Sequence, residues 1–124
     1  MPDKESVSAG VRPEEYFFES EGCYITELSN SSSDPEASIA RARVKPSVTT
    51  AWHSLANTTE RYCILSGSGI VELGDSAGKS VGPGDVVIIT PDTRQRITNC
   101  GESDLVFLAI CTPRFEMKNY KSVG

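Results

Sequence analysis

Apolar and polar residues alternate with a period of two along most of this chain, and no stretch keeps a helical period over three turns. Residues 22–28 mix Cys23, Tyr24, Ile25 and Leu28 with polar neighbours, which suits a first strand. A Ser-, Asn- and Pro-rich loop follows at 29–36. Residues 38–45 alternate, with Ile39, Arg41 and Arg43 on one face and Ala40, Ala42 and Val44 on the other. Further strands are predicted over 60–65, 70–73, 79–81, 86–89, 95–99 and 105–111, with Gly, Pro and Asn turns between them. The unbroken apolar run 86–89 reads as a strand buried on both faces. Residues 114–120 fit either a strand or one helical turn. Short strands at near-regular spacing predict an all-β sandwich or barrel.

A chain of 124 residues is one domain's worth, and such a domain buries roughly two-thirds of its unfolded surface. The expected organisation is a flexible N-terminal arm over 1–14, followed by a single barrel domain over 15–124. The aromatic cluster 16–18 is placed to staple the arm onto the barrel. The net charge of −5, with no basic run, disfavours phosphate backbones and anionic lipid, so neither nucleic acid nor membrane is an expected partner. No apolar run reaches the roughly 18 residues of a membrane span. Residues 1–12 are polar and carry no apolar signal core, which points to a cytoplasmic protein. The four cysteines, Cys23, Cys63, Cys100 and Cys111, form no C-x-x-C pair and are expected to be reduced thiols.

Candidate chemistry concentrates between residues 47 and 99, which contain the single histidine, His53. Alternation puts Glu60, Tyr62 and Ile64 on one strand face, and a carboxylate beside an isoleucine needs a partner. Gln95 shares a face with Ile97, opposite Arg94 and Arg96. If the Ile39 face lines the barrel, Arg41 and Arg43 form an anion clamp for substrate; if it faces out, they are solvated charges. Pro46 interrupts the parity count, so both alternatives stand. Cys111 shares a face with Phe107 and Ala109 and reads as a small apolar filler rather than a nucleophile.

The spacing of residues 47–67 resembles the first motif of the cupin superfamily, G-x5-H-x-H-x4-E-x6-G. Ser47 stands at its first glycine, His53 at the first histidine, Leu55 at the second, Glu60 at the glutamate and Gly67 at the closing glycine. The second motif, G-x5-P-x-G-x2-H-x3-N, fits residues 84–99 without a gap. Gly84 and Asn99 match it, Thr90 and Asp92 stand at the proline and second glycine, and Gln95 stands at the histidine. The resemblance implies a double-stranded β-helix, or jelly-roll, barrel, often a homodimer, with a small-molecule pocket in the barrel mouth.

The resemblance also implies a divalent transition-metal site of three histidines and a glutamate, of which this chain keeps only part. His53, Glu60 and Gln95 remain as a mixed N/O set able to hold an ion weakly, since an amide oxygen is a poorer donor than imidazole. A metal-free polar pocket is the preferred alternative. Two functions follow. One is a metabolic enzyme of lyase, isomerase, cyclase or dioxygenase type, with His53, Glu60 and Tyr62 catalytic and Gln95, Arg41 and Arg43 binding substrate. The other is a non-catalytic ligand-binding or sensing module built on the same pocket.

Overall fold

The computed structural model describes residues 13–124, so most of the arm expected over 1–14 lies outside the described residues. Eleven strands follow in order: β1 Tyr16–Phe18, β2 Cys23–Ser29, β3 Ser38–Val44, β4 His53–Leu55, β5 Thr59–Ser66, β6 Gly69–Leu73, β7 Lys79–Val81, β8 Val86–Ile89, β9 Gln95–Asn99, β10 Leu105–Thr112 and β11 Tyr120–Ser122. A single 3₁₀ turn, Met117–Asn119, leads into β11. The tail at 114–120 thus contains both of the elements weighed for it. Residues 16–18 form a paired strand, with Phe17 opposite Tyr24, rather than a loose staple.

The strands make two antiparallel sheets, one ordered β1-β2-β3-β10-β5-β8 and the other β11-β4-β9-β6-β7. This is the jelly-roll architecture. The core lies between the sheets and is built from period-two faces: Cys23 and Ile25 of β2, Ala42 and Val44 of β3, Tyr62 and Ile64 of β5, Val71 of β6, Ile97 of β9, and Leu105 and Phe107 of β10. Burial of each large aliphatic side chain contributes about 2 kcal/mol, which lets a chain without disulfides hold its fold.

Strand β8 departs from expectation. Val87 and Ile89 are buried, but Val86 and Ile88 are 57% and 62% exposed. The sheet is covered on one face only, so Val86 and Ile88 look outward while Val87 and Ile89 face the core, and an unbroken apolar run does not guarantee burial on both sides.

Candidate functional site

A cavity of about 150 Å³ opens on the inner face of the six-stranded sheet. Strands β2, β3, β5 and β10 form its wall, and Phe115 and Met117 of the tail reach across it. Glu60 and Tyr62 project into this space, as the alternation of β5 requires. Ala40 and Ala42 supply the lining from β3, so Arg41 and Arg43 are on the opposite face. The anion clamp is therefore not formed. Arg43 instead bonds Glu15 at 2.6 Å and Asp104 at 3.0 Å and lies 4.3 Å over the Tyr24 ring, while Arg41 pairs with Glu15 at 3.6 Å.

His53 is 1% exposed and does not line the cavity. Its Nδ1 donates to the Ala51 carbonyl at 2.9 Å, and its Nε2 lies 3.0 Å from Oε1 of Glu21. The Tyr120 ring stacks on it at 5.2 Å. Burial opposes a charge on this imidazole. The Glu21 carboxylate, the Ala51 carbonyl and Glu60 outweigh that effect and raise its pKa above the usual value. Glu21 is the link, since it lines the cavity on one side and meets His53 on the other.

Glu60 is 8% exposed, and its Oε2 accepts a long contact from the Cys111 thiol at 3.8 Å. Its Oε1 has no partner. Burial first, and the Glu21 charge second, push its pKa up to about 7, against the opposing pull of His53, the Gln95 amide and Cys111. Tyr62 donates its hydroxyl to Oε1 of Gln95, which leaves the Gln95 Nε2 unpartnered. Burial holds the Tyr62 phenol well above its ordinary pKa, so it stays protonated. Burial likewise raises the thiols of Cys23 and Cys111, which removes them as nucleophiles at neutral pH.

These contacts decide the expected ligand set. Both ring nitrogens of His53 are engaged, and the oxygen Gln95 was to offer is taken by Tyr62. Among the described residues no three His, Cys, Asp or Glu side chains converge as a metal site. The donors present do not fit a resident metal ion.

The motif register has its own structural signature. Ser47, Gly67, Gly84 and Asp92, the four residues at the motif's glycine positions, all have left-handed backbone, with φ of 67°, 89°, 92° and 64°. Two of them keep that conformation without being glycine. Asn99, the closing asparagine, is buried for structural reasons: its amide donates to Val44 and Ser103 carbonyls, both at 2.8 Å, and it accepts from the Gly101 amide. A family model described as a cupin domain matches residues 40–111, which is more than half of the chain. The chain belongs to the cupin family.

Solved cupin structures agree on the fold. The nucleoside dehydratase Pac13, whose variants were solved from Streptomyces with uridine, is 20% identical over 99% of this chain and 92% of its own, with a TM-score of 0.75. A predicted oxalate decarboxylase from Thermotoga maritima is 22% identical over 86% of this chain and 96% of its own, at a TM-score of 0.72. An uncharacterised double-stranded β-helix protein from Klebsiella pneumoniae is 14% identical over 96% and 90%, at 0.70. No curated protein is significantly similar in sequence.

Of the residues expected at the site, Glu60 and Tyr62 line the cavity, and Gln95 and His53 stand behind them as paired residues of β9 and β4. The structure adds three residues that the sequence reading did not name: Glu21, Glu27 and Tyr120. Glu27 was legible, because it continues the inward face of Cys23 and Ile25. Glu21 and Tyr120 carry no local signal. Tyr120 reaches His53 through the pairing of β11 with β4, and Glu21 does so from the turn between β1 and β2, where its carbonyl accepts from the Ala51 amide.

Proposed function

We propose that this cupin is an enzyme of the lyase kind that moves a proton on a ring-sized small molecule, with Glu60 as the general acid–base group. The observation that carries this reading is the buried Glu60 carboxyl that lines the cavity, with Oε1 unpartnered among the described residues and a pKa of about 7. A group half-ionised near neutrality can both take and return a proton, which is the requirement for acid–base catalysis. The likeness to a nucleoside dehydratase over nearly the whole chain supports an elimination. In that reaction ionised Glu60 takes a proton from a carbon next to a carbonyl. The same proton then passes to the departing hydroxyl as the C–O bond breaks, the C=C bond forms and water leaves.

The remaining residues shape this step. Tyr62, whose proton is held by Gln95, presents its phenol oxygen beside Glu60 as an acceptor for a substrate hydroxyl. His53 acts through Glu21 and is a positioning residue, since it does not reach the cavity itself. The aromatic and alanine lining excludes water, which strengthens the polar contacts that remain. A cavity of this volume admits about one six-membered ring.

The test uses pools of single-ring hydroxy-carbonyl compounds and nucleosides, uridine among them, incubated with the protein in D₂O and followed by proton NMR. Wild type is expected to exchange one C–H signal and generate alkene signals, and Glu60→Gln to do neither. A compound that binds in the cavity with its C–H bond left intact by the wild type would make the protein a binding module and end the enzyme reading.

A further inference from the structure

The lining of the cavity is one-sided in charge. Three carboxyl groups, Glu21, Glu27 and Glu60, line it, and among the described residues no lysine, arginine or histidine does. The cations of the flanking strands are turned outward: Arg41 and Arg43 meet Glu15, and Arg61 donates to Thr112 at 2.8 Å. His53 stands behind the wall, paired with Glu21 and acting on Glu60 only at longer range. Among the described residues, Glu27 and Glu60 thus have no cation paired with them in direct contact. The rest of the lining is aromatic, with the rings of Tyr16, Phe18, Tyr62, Phe107 and Phe115 around the carboxyls and the Met117 thioether at the rim.

An acidic cluster alone would be a solvated or strained feature, but here one member is more than nine-tenths buried and unsatisfied. Glu60 lines the cavity, and its buried Oε1 has no hydrogen-bond partner among the described residues. A buried acceptor of this kind is costly unless a ligand supplies the donor. Aromatic faces carry negative potential, so the rings and the carboxyls favour the same kind of occupant.

We propose that the natural occupant of the cavity is a cation, a ring-sized molecule bearing a protonated amine whose N–H bonds to Glu60 Oε1 while its body lies among the aromatic rings. This names the substrate class of the site described above and rests on that cavity being the functional one. Phosphorylated and carboxylated molecules are excluded by the same argument, because nothing in the lining could neutralise them and the carboxyls would repel them. Burial raises the pKa of both Glu27 and Glu60, the direction expected of carboxyls in an apolar lining.

Three probes of nearly equal shape separate charge from size: benzylamine, benzyl alcohol and benzoate, each titrated into the wild-type protein by calorimetry and by NMR. Benzylamine is expected to bind at least about tenfold more tightly than benzyl alcohol, and benzoate not to bind. In Glu60→Gln, checked for a cooperative melt and a folded proton NMR spectrum, the amine-over-alcohol ratio is expected to fall toward one. Equal or tighter binding of the alcohol or the benzoate, or no binding of the amine at millimolar concentration, overturns the proposal. The outcome is independent of catalysis. A cation-selective cavity that exchanges no C–H signal would sink the enzyme reading and leave this inference standing. An active enzyme that prefers neutral probes would do the reverse.

Discussion

Replacing His53 by glutamine removes one half of a buried ion pair, and the structure sets the size of the effect. The His53 Nε2 and Glu21 Oε1 atoms are 3.0 Å apart, with side-chain exposures of 1% and 15%. At an effective dielectric of about 20, two charges at that distance attract by roughly 5 kcal/mol, most of which is offset by their desolvation. Removing one partner leaves the other buried and uncompensated, so His53→Gln and Glu21→Gln are each expected to cost about 3 kcal/mol. The double variant should fall short of the sum by about 2 kcal/mol, because the second substitution removes a charge already stranded. Urea unfolding of all four proteins near neutral pH, with matching slopes, measures this directly. The sign with pH follows from the raised pKa of His53: the pair contributes fully below the unfolded value of 6.5 and is lost as pH rises through the higher folded value. Additivity within about 0.5 kcal/mol would refute the pairing and with it the positioning role of His53.

Glu60 should make the protein less stable as pH rises. Its folded pKa of about 7 against an ordinary 4.5 means that stability present below 4.5 is lost as pH passes through 7, about 3 kcal/mol in all. A thermal melt should drop by roughly 10 °C between about pH 5 and 8, and Glu60→Gln should flatten most of that slope, leaving the part due to His53. Gly67→Ala should cost more than about 2 kcal/mol in urea unfolding, since a Cβ there would lie 2.7 Å from the Asp104 carbonyl oxygen at a φ of 89°. Ser47→Gly should instead stabilise by about 0.5–1 kcal/mol, because it relieves a left-handed serine. Under anaerobic, denaturing conditions without reductant all four thiols should react with a thiol reagent. In the native protein Cys100, the exposed one, should react first, and buried Cys23 and Cys111 last.

Much of the barrel was legible because alternation is a local property. The inward faces of β5 and β9 follow from counting by two from Glu60 and Gln95, and both counts hold in the structure. The gapless register of the two motifs is legible for a related reason: their glycine positions mark left-handed turns, which Ser47 and Asp92 still adopt. What failed was information that lies between strands. Pro46 hid which face of β3 looks inward, and the alanines rather than the arginines do so because a small side chain leaves room for the cavity. The run at β8 looked doubly buried because sequence cannot show that no layer covers the outer face of its sheet. His53 was expected to act in the pocket. It starts a three-residue strand, and Glu21, from the turn between β1 and β2, stands between it and the cavity.

The central claim is that Glu60 titrates near neutrality inside a cavity that a substrate enters. Carbon-13 NMR of the glutamate side-chain carboxyls, with the Glu60 signal assigned by its loss in Glu60→Gln, reads that ionisation at the atom concerned. The account predicts a midpoint of about 7 for this one signal, moving downward when benzylamine is added. A midpoint near the ordinary 4.5, unchanged by ligand, would mark Glu60 as a solvated carboxylate and contradict the proposed site.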